Sequence, residues 1–186
     1  MMTAHPQLTL VLGGARSGKS RYAESLVAAT PPPWIYMATA QAQDTDQDAE
    51  MAGRIAHHRA RRGAGWHTIE APHDLAAAID AAPAGAILVD CLTLWLTNRM
   101  LAKSDIDGDI DADIDAGTCG LEAALARRGG PAVLVSNEVG SGIVPDNALA
   151  RRFRDLQGRL NQRLAAGADR VILVVAGLPL IVKGQA

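Results

Sequence analysis

The sequence predicts an α/β protein in which a mostly parallel sheet carries helices on both faces. Three observations predict it. Aliphatic runs recur without polar alternation, as strands buried on both faces require. Helical stretches separate these runs, which makes the crossovers right-handed and the strands parallel. The first run, Leu8 to Leu12, enters a glycine-rich turn that opens a helix.

That turn carries the most chemistry. Gly13-Gly14-Ala15-Arg16-Ser17-Gly18-Lys19-Ser20 fits the pattern G-x-x-x-x-G-K-[ST] in its required strand–loop–helix setting. The glycines let backbone N–H groups converge on an anion, and the following helix adds its positive N-terminal end. Lys19 is expected to neutralise the β- and γ-phosphates and the Ser20 hydroxyl to ligate Mg²⁺. The fold class is accordingly P-loop NTPase-like, and the chain is read as binding a nucleoside triphosphate.

The other elements follow in order. The first helix runs from about Lys19 to Ala29 and stops at Pro31-Pro32-Pro33. A second strand spans Trp34 to Thr39. A helix is expected around Glu50 to Arg62, ended by Gly63 to Gly65, then a short extended piece from His67 to Glu70. Leu75 and Ile79, four apart, mark a short helix over Asp74 to Ala81. Ala86 to Asp90 is a strand ending in an acid, and Leu92 to Lys103 a helix. Residues 104–117 read as a mobile, solvated acidic insert, because crowded like charges repel and have little to bury. A calcium loop fits poorly there: neither frame places Gly at its sixth position. Leu121 to Arg128 is a helix and Ala132 to Ser136 a strand. Asp146 is the expected N-cap of a long helix whose Leu149, Phe153, Leu156, Leu160 and Leu164 form an apolar stripe, with Gly167 as its C-cap. A last strand covers Arg170 to Ala176, and the tail through Lys183 has no assignment. No domain boundary or repeat interrupts residues 1–186, which read as a single domain.

Composition narrows the partners. The net charge is −2, but six aspartates between Asp105 and Asp115 lie in the acidic stretch, so the rest of the chain is mildly basic at +4. That suits phosphate handling and argues against a nucleic-acid coat. Two cysteines fit a reducing cytosol rather than a disulfide framework. No apolar run reaches the roughly 18 residues that span a bilayer, and a cytoplasmic location is expected.

Two further groups bear on chemistry. Asp90, ending an aliphatic strand, has the form of the acid that holds Mg²⁺ in phosphate-loop enzymes. In the expected helix over residues 50–62, Arg54, His58 and Arg61 or Arg62 would share a face. A histidine among arginines is kept neutral and nucleophilic, and covalent nucleotidyl transfer would need that. On residues alone, a basic solvated helix with ordinary histidines is the plainer reading. The phosphate loop, Thr39, Asp90 and Asn137-Glu138 are expected to share the C-terminal edge of the sheet.

Several stretches together resemble one family: LVLGGARSGKSRYAE (10–24), IYMATA (35–40), RIAHHRARRGAGWHTIE (54–70), ILVDCLTLWLTN (87–98) and residues 133–177 with SNEVGSGIVP and an Asn161-Gln162 helix. The sequence is similar to the bifunctional adenosylcobinamide kinases / adenosylcobinamide-phosphate guanylyltransferases of cobalamin biosynthesis. The resemblance implies phosphorylation of the aminopropanol hydroxyl of adenosylcobinamide by a nucleoside triphosphate. It then implies transfer of GMP from GTP through a guanylylated histidine, giving adenosylcobinamide-GDP and pyrophosphate. Carried over on R-I-x-x-H, the nucleophile is His58, with adjacent His57 its rival under a one-residue shift. Gly13 to Ser20 would hold the triphosphate. Ala38, Thr39, Ala40, the run Arg59, Ala60, Arg61, Arg62, then Glu70 and Asp90 would line the GTP site. Mg²⁺ on Ser20 and Asp90, ATP and GTP as substrates, and a homo-oligomer, a trimer, complete what it implies. The same loop also fits a monofunctional small-molecule kinase with bystander histidines, or a nucleotide switch without turnover.

Overall fold

The computed structural model describes residues 7–40, 53, 62–102 and 109–185. Its elements, in chain order, are β1 (Leu8–Gly13), α1 (Lys19–Ala28), β2 (Trp34–Ala38), β3 (Trp66–Glu70), α2 (Leu75–Ala81), β4 (Ala86–Asp90), α3 (Leu92–Ala102), α4 (Ile110–Arg127), β5 (Ala132–Asn137), α5 (Ala148–Gly167), β6 (Arg170–Val175) and β7 (Leu178–Lys183). The strands form one sheet in the order β3-β2-β4-β5-β1-β6-β7. Every pairing is parallel except β6 with β7. The central strands are aliphatic and buried because both faces are covered, as the runs without alternation predicted.

The two faces carry separate cores. On one, Val11, Leu88, Val133, Val135, Ile172 and Val174 pack with Ala23 and Val27 of α1. On the other, Leu10, Ile87, Val89 and Leu134 meet α2, α3, α4 and α5 through Leu75, Ile79, Leu92, Trp95, Leu121, Leu156 and Leu160. Strand alternation assigns each side chain to one layer or the other.

The acidic stretch departs from expectation. Residues 110–117 are not a solvated insert but the first turns of α4, which continues through the helix expected from Leu121. Ile110, Ile114, Thr118 and Leu121 bury one side, a helical period that the Asp-x-Asp alternation conceals in the sequence. Asp109 caps the helix, accepting from the Asp111 and Ala112 backbone N–H groups at 3.0 and 3.3 Å. The remaining acids face cations. Asp111 meets Arg152 at 2.8 Å and Arg159 at 2.7 Å, Asp113 meets Arg99 at 2.8 Å, and Asp115 meets Arg163 at 3.4 Å. The repulsion expected among these aspartates is therefore offset by Arg99 of α3 and the arginine face of α5. Residues 104–108 lie outside the described residues.

Smaller corrections concern helix ends. Asn147, not Asp146, caps α5, accepting from Leu149 N at 2.8 Å and Ala150 N at 3.2 Å. Leu149 is half exposed and leaves the apolar stripe to Leu156, Leu160 and Leu164 with Phe153 beside them, because it stands at the open first turn. Gly167 is the last helical residue and Ala168 the cap. The tail left unassigned in the sequence is β7, returned on β6 by a two-residue turn. Ala176 and Gly177 have φ of 52° and 81°, matching the tight hairpin that a twisted pair of strands favours.

The Asp111 contacts give a prediction with a defined sign. Hydrogen bonds from Arg159 and then Arg152 hold its carboxyl below the usual carboxylate range. A lowered folded-state pKa contributes stability above the unfolded value and loses it as pH falls through the folded one. Asp111→Asn is expected to cost about 1 kcal/mol or less at pH 7, the scale of exposed ion pairs. In urea titrations the gap from the parent should narrow as the pH is lowered through and below the carboxylate range.

Candidate active site

Parallel strands bring their C-terminal ends to one edge, and several of the expected residues that the structure describes lie there. Ala38 is level with Asp90 on one side and Glu70 on the other, and Gly13 is level with Asn137. The Glu138 N–H donates to the Gly13 carbonyl at 3.1 Å and the Thr39 N–H to that of Asp90 at 3.4 Å. The expectation that the loop, Thr39, Asp90 and Asn137-Glu138 share one edge therefore describes the molecule.

The glycine-rich turn is built by close contacts. A side chain at Gly13 would lie 2.5 Å from Ser17 Oγ and 2.7 Å from the Val174 carbonyl, so only glycine fits. Gly18, with φ of 94°, turns the chain into α1 from a left-handed conformation that glycine adopts without strain. The Ser17 carbonyl accepts from Gly177 N at 2.8 Å, which ties the loop to the β6–β7 hairpin. Gly14, Ala15 and Arg16 are exposed, and Lys19 and Ser20 sit in the first turn of α1. Lys19 Nζ donates to the Gly14 carbonyl at 3.0 Å, folded back over the loop it would serve.

Asp90 lies at the centre. Its Oδ1 accepts from Ser20 Oγ at 3.3 Å and its Oδ2 from the Tyr36 hydroxyl at 3.1 Å. Burial, and after it the negative charge of Asp90, push the Tyr36 phenol far up, so its O–H stays a donor to the carboxylate. The Arg62 guanidinium stacks 3.4 Å from the centroid of the Tyr36 ring. The next residue, Cys91, is desolvated beside Asp90, and its thiol is pushed up to about 11, which leaves it uncharged and unreactive at neutral pH. Its N–H donates to Thr39 Oγ1 and its carbonyl accepts from the same hydroxyl, each at 2.8 Å. Asn98 Nδ2 donates to the Thr39 carbonyl at 2.8 Å. Thr39 is thus a fully buried brace, and Ala40 beside it is half-buried.

Beneath the β5 end lies a buried polar group. Ser136 Oγ donates to Asn161 Oδ1 at 2.7 Å, and Gln157 Nε2 reaches both at 2.9 and 3.0 Å. Asn161 Nδ2 donates to the Asn137 carbonyl at 3.0 Å, while Asn137 N donates to Thr93 Oγ1 at 2.9 Å.

The basic run is placed only in part. His57, His58, Arg59, Ala60 and Arg61 lie outside the described residues. Of the helix expected over residues 50–62, Gly53 is helical but Arg62 is not. Its expected place on a shared helical face is therefore corrected: adjacent to the Gly63–Gly65 break, it folds onto Tyr36 instead. Glu70, at the end of β3, is exposed. Sequence reasoning gave Tyr36, Thr93 and Asn161 no place in the site. Only Tyr36 left a signal, as the residue two before Ala38 and so on the strand face that Asp90 shares.

A hydroxyl and a carboxylate 3.3 Å apart beside an ammonium suit a triphosphate bound with a hard, oxygen-seeking cation such as Mg²⁺. The sheet and loop are those of P-loop NTPase-like proteins. The chain matches the crystal structure of the flagellar accessory protein FlaH from Methanocaldococcus jannaschii with a TM-score of 0.51 at 12% identity, over 96% of this chain and 79% of that one. That likeness speaks to the fold alone. Sequence comparison is more specific. The bifunctional adenosylcobalamin biosynthesis protein CobP of Pseudomonas aeruginosa is 47% identical over 95% of this chain and 97% of its own length. The bifunctional adenosylcobalamin biosynthesis proteins CobU of Salmonella typhimurium and Escherichia coli are 46% and 44% identical, each over 95% of this chain and 99% of their own. The family model described as cobinamide kinase / cobinamide phosphate guanyltransferase matches residues 9–182. A phosphate loop facing a strand-end carboxylate, carried on a sequence alike over 95% of its length, thus places this chain in the cobinamide kinase / cobinamide phosphate guanyltransferase family.

Proposed function

We propose that one triphosphate site, built on Gly13 to Ser20, serves two successive reactions of adenosylcobalamin biosynthesis in this chain. The chain is an adenosylcobinamide kinase and an adenosylcobinamide-phosphate guanylyltransferase, the activities its family and its relatives carry. The observation that supports one shared site is the convergence of Lys19, Ser20 and Asp90 at a single sheet edge.

In the kinase step the loop holds ATP or GTP and Lys19 draws charge from the β- and γ-phosphates. The substrate hydroxyl oxygen forms a bond to the γ-phosphorus, the bridge to the β-phosphate breaks, and the hydroxyl proton is released to solvent. Ser20 and Asp90 would hold Mg²⁺, which when bound neutralises charge on the phosphate oxygens. Tyr36 keeps Asp90 turned toward Ser20 for that purpose.

In the second step the neutral imidazole of His58 attacks the α-phosphorus of GTP, and pyrophosphate leaves with the bridging electrons. The imidazole N–H proton passes to solvent and the phosphoramidate holds GMP; the substrate phosphate then takes GMP as the histidine nitrogen regains a proton from solvent. Arg59, Arg61 and Arg62 offset the charge that builds on the phosphorus oxygens. Ala38, Thr39, Ala40, Ala60, Glu70 and Asp90 line the guanylyl site, with the Thr39 brace fixing the first of these. His57 is the alternative nucleophile.

The assembly is a homo-oligomer, a trimer by resemblance. Strand β7 supports association: Leu178, Leu180 and Val182 are exposed on a sheet edge that a monomer would leave open. No helix among the described residues is long and apolar enough to cross a membrane, and free Cys91 and Cys119 accord with a reducing cytoplasm.

The test is labelling with GTP radioactive at its α-phosphate, followed by denaturation. The parent should retain label that acid removes and alkali spares. His58→Ala should abolish it while kinase activity stays within about threefold, because only the transfer step uses the nucleophile. Retained label in His58→Ala, lost in His57→Ala, would move the role to His57. Lys19→Ala is expected to slow both reactions about 10²- to 10³-fold, the scale of one lost charge-stabilising donor. A parent that binds GTP but is never labelled would leave a plain kinase.

A further inference from the structure

Asn137 stands where both walls of the site meet. It ends β5, which lies between β1, bearing the phosphate loop, and β4, bearing Asp90. It is level with Gly13 and two residues beyond the level of Asp90. Along β5, Leu134 belongs to the core under α5, and Ser136 bonds to α5. Val133 and Val135 face α1. Alternation puts the Asn137 side chain on the α1 face, the face of Lys19, Ser20, Tyr36 and Asp90.

Its backbone is held from three sides. The N–H goes to Thr93 Oγ1 at 2.9 Å, the carbonyl accepts from Asn161 Nδ2 at 3.0 Å, and the next N–H goes to Gly13. Asn161 is itself fixed by Ser136 and Gln157. The side-chain Oδ1 of Asn137, by contrast, is closed off from solvent and accepts from no described residue. A buried acceptor left unmet is destabilising, and native structures retain one chiefly where a ligand or water completes it. Rigid support beneath an unmet polar atom is the arrangement of a binding contact rather than of packing.

The identity of the donor follows from chemistry. A carboxamide oxygen only accepts, and so do phosphate oxygens, so Oδ1 has nothing to gain from the triphosphate. It needs an O–H or N–H. Of the two reactions, the kinase step brings a hydroxyl to this edge of the sheet, whereas the acceptor in GMP transfer is a phosphate. We infer that Asn137 Oδ1 accepts a hydrogen bond from the alcohol substrate of the kinase step and holds its oxygen toward the γ-phosphorus. Asn161, with Gln157 and Ser136, positions Asn137 from behind. This inference rests on the kinase reading above.

Asn137→Ala tests it, since the substitution removes the unmet oxygen and keeps every backbone bond. Kinase turnover on adenosylcobinamide is expected to fall about 10- to 100-fold, the cost of a misdirected nucleophile. The KM for the nucleotide should stay near the parent's. GMP transfer to adenosylcobinamide phosphate made separately, and guanylyl labelling from GTP, should stay within about threefold, because neither uses the alcohol. Labelling also reports that the variant is folded. If Asn137→Ala does not accumulate as folded protein, Asn137→Ser, too short to reach the same point, is read by the same criteria.

Unchanged kinase turnover would overturn the inference. So would an equal loss in both reactions, the result expected if the carboxamide were turned to present Nδ2 to a phosphate or were needed only for structure. A parent without kinase activity would overturn the kinase reading and the inference with it.

Discussion

Asp90 takes hydrogen bonds at both carboxylate oxygens, from Ser20 on one side and Tyr36 on the other. A half-buried carboxylate is costly unless such donors satisfy it. These two come from elements that the parallel sheet brings together: β2 beside β4, with α1 packed over β4 and β5. Tyr36 reaches across one strand spacing, roughly 4.8 Å, and its raised pKa guarantees the proton it donates. Ser20 reaches from the first turn of α1, whose position is set by the phosphate loop. The carboxylate therefore joins loop, helix and sheet, and the polar atoms left to meet a triphosphate are those not consumed in holding it.

The local features with strong chemistry were legible in the sequence. Strand β1 and the loop were read together because the glycines and Lys19 have few other uses in that order. Asp90 was legible because an acid ending an aliphatic run stands out. Tyr36 did not, since a tyrosine in a strand is ordinary until its hydroxyl is known to face a carboxylate two strand positions on. The start of α4 was hidden for a different reason. Its apolar face, Ile110, Ile114 and Thr118, is interleaved with aspartates whose charge is balanced only by Arg99, Arg152, Arg159 and Arg163 from other elements. Charge pairing across 14 to 48 residues leaves no local trace. Strand β7 was illegible because its apolar residues are exposed rather than buried, so burial patterns did not mark it.

The two reactions make opposite demands on the triphosphate each one uses. One directs a nucleophile at the γ-phosphorus and the other at the α-phosphorus, while the leaving group changes from a nucleoside diphosphate to pyrophosphate. On the proposed reading, a loop that would grip the phosphates through backbone N–H groups and a single ammonium serves both, because such contacts are electrostatic and not tied to one phosphorus atom. Choice between the reactions then falls to what approaches the nucleotide. On this account the alcohol approaches from the β5 end, and the histidine arrives with the segment that precedes Arg62.

The central claim is that one loop holds the nucleotide for both steps. Equilibrium titration in Mg²⁺ with non-hydrolysable ATP and GTP analogues tests it most directly. The account predicts one nucleotide per chain, mutual displacement of the two analogues, and loss of both in Lys19→Ala. Two nucleotides bound at once, or guanine-nucleotide binding that survives Lys19→Ala, would contradict it.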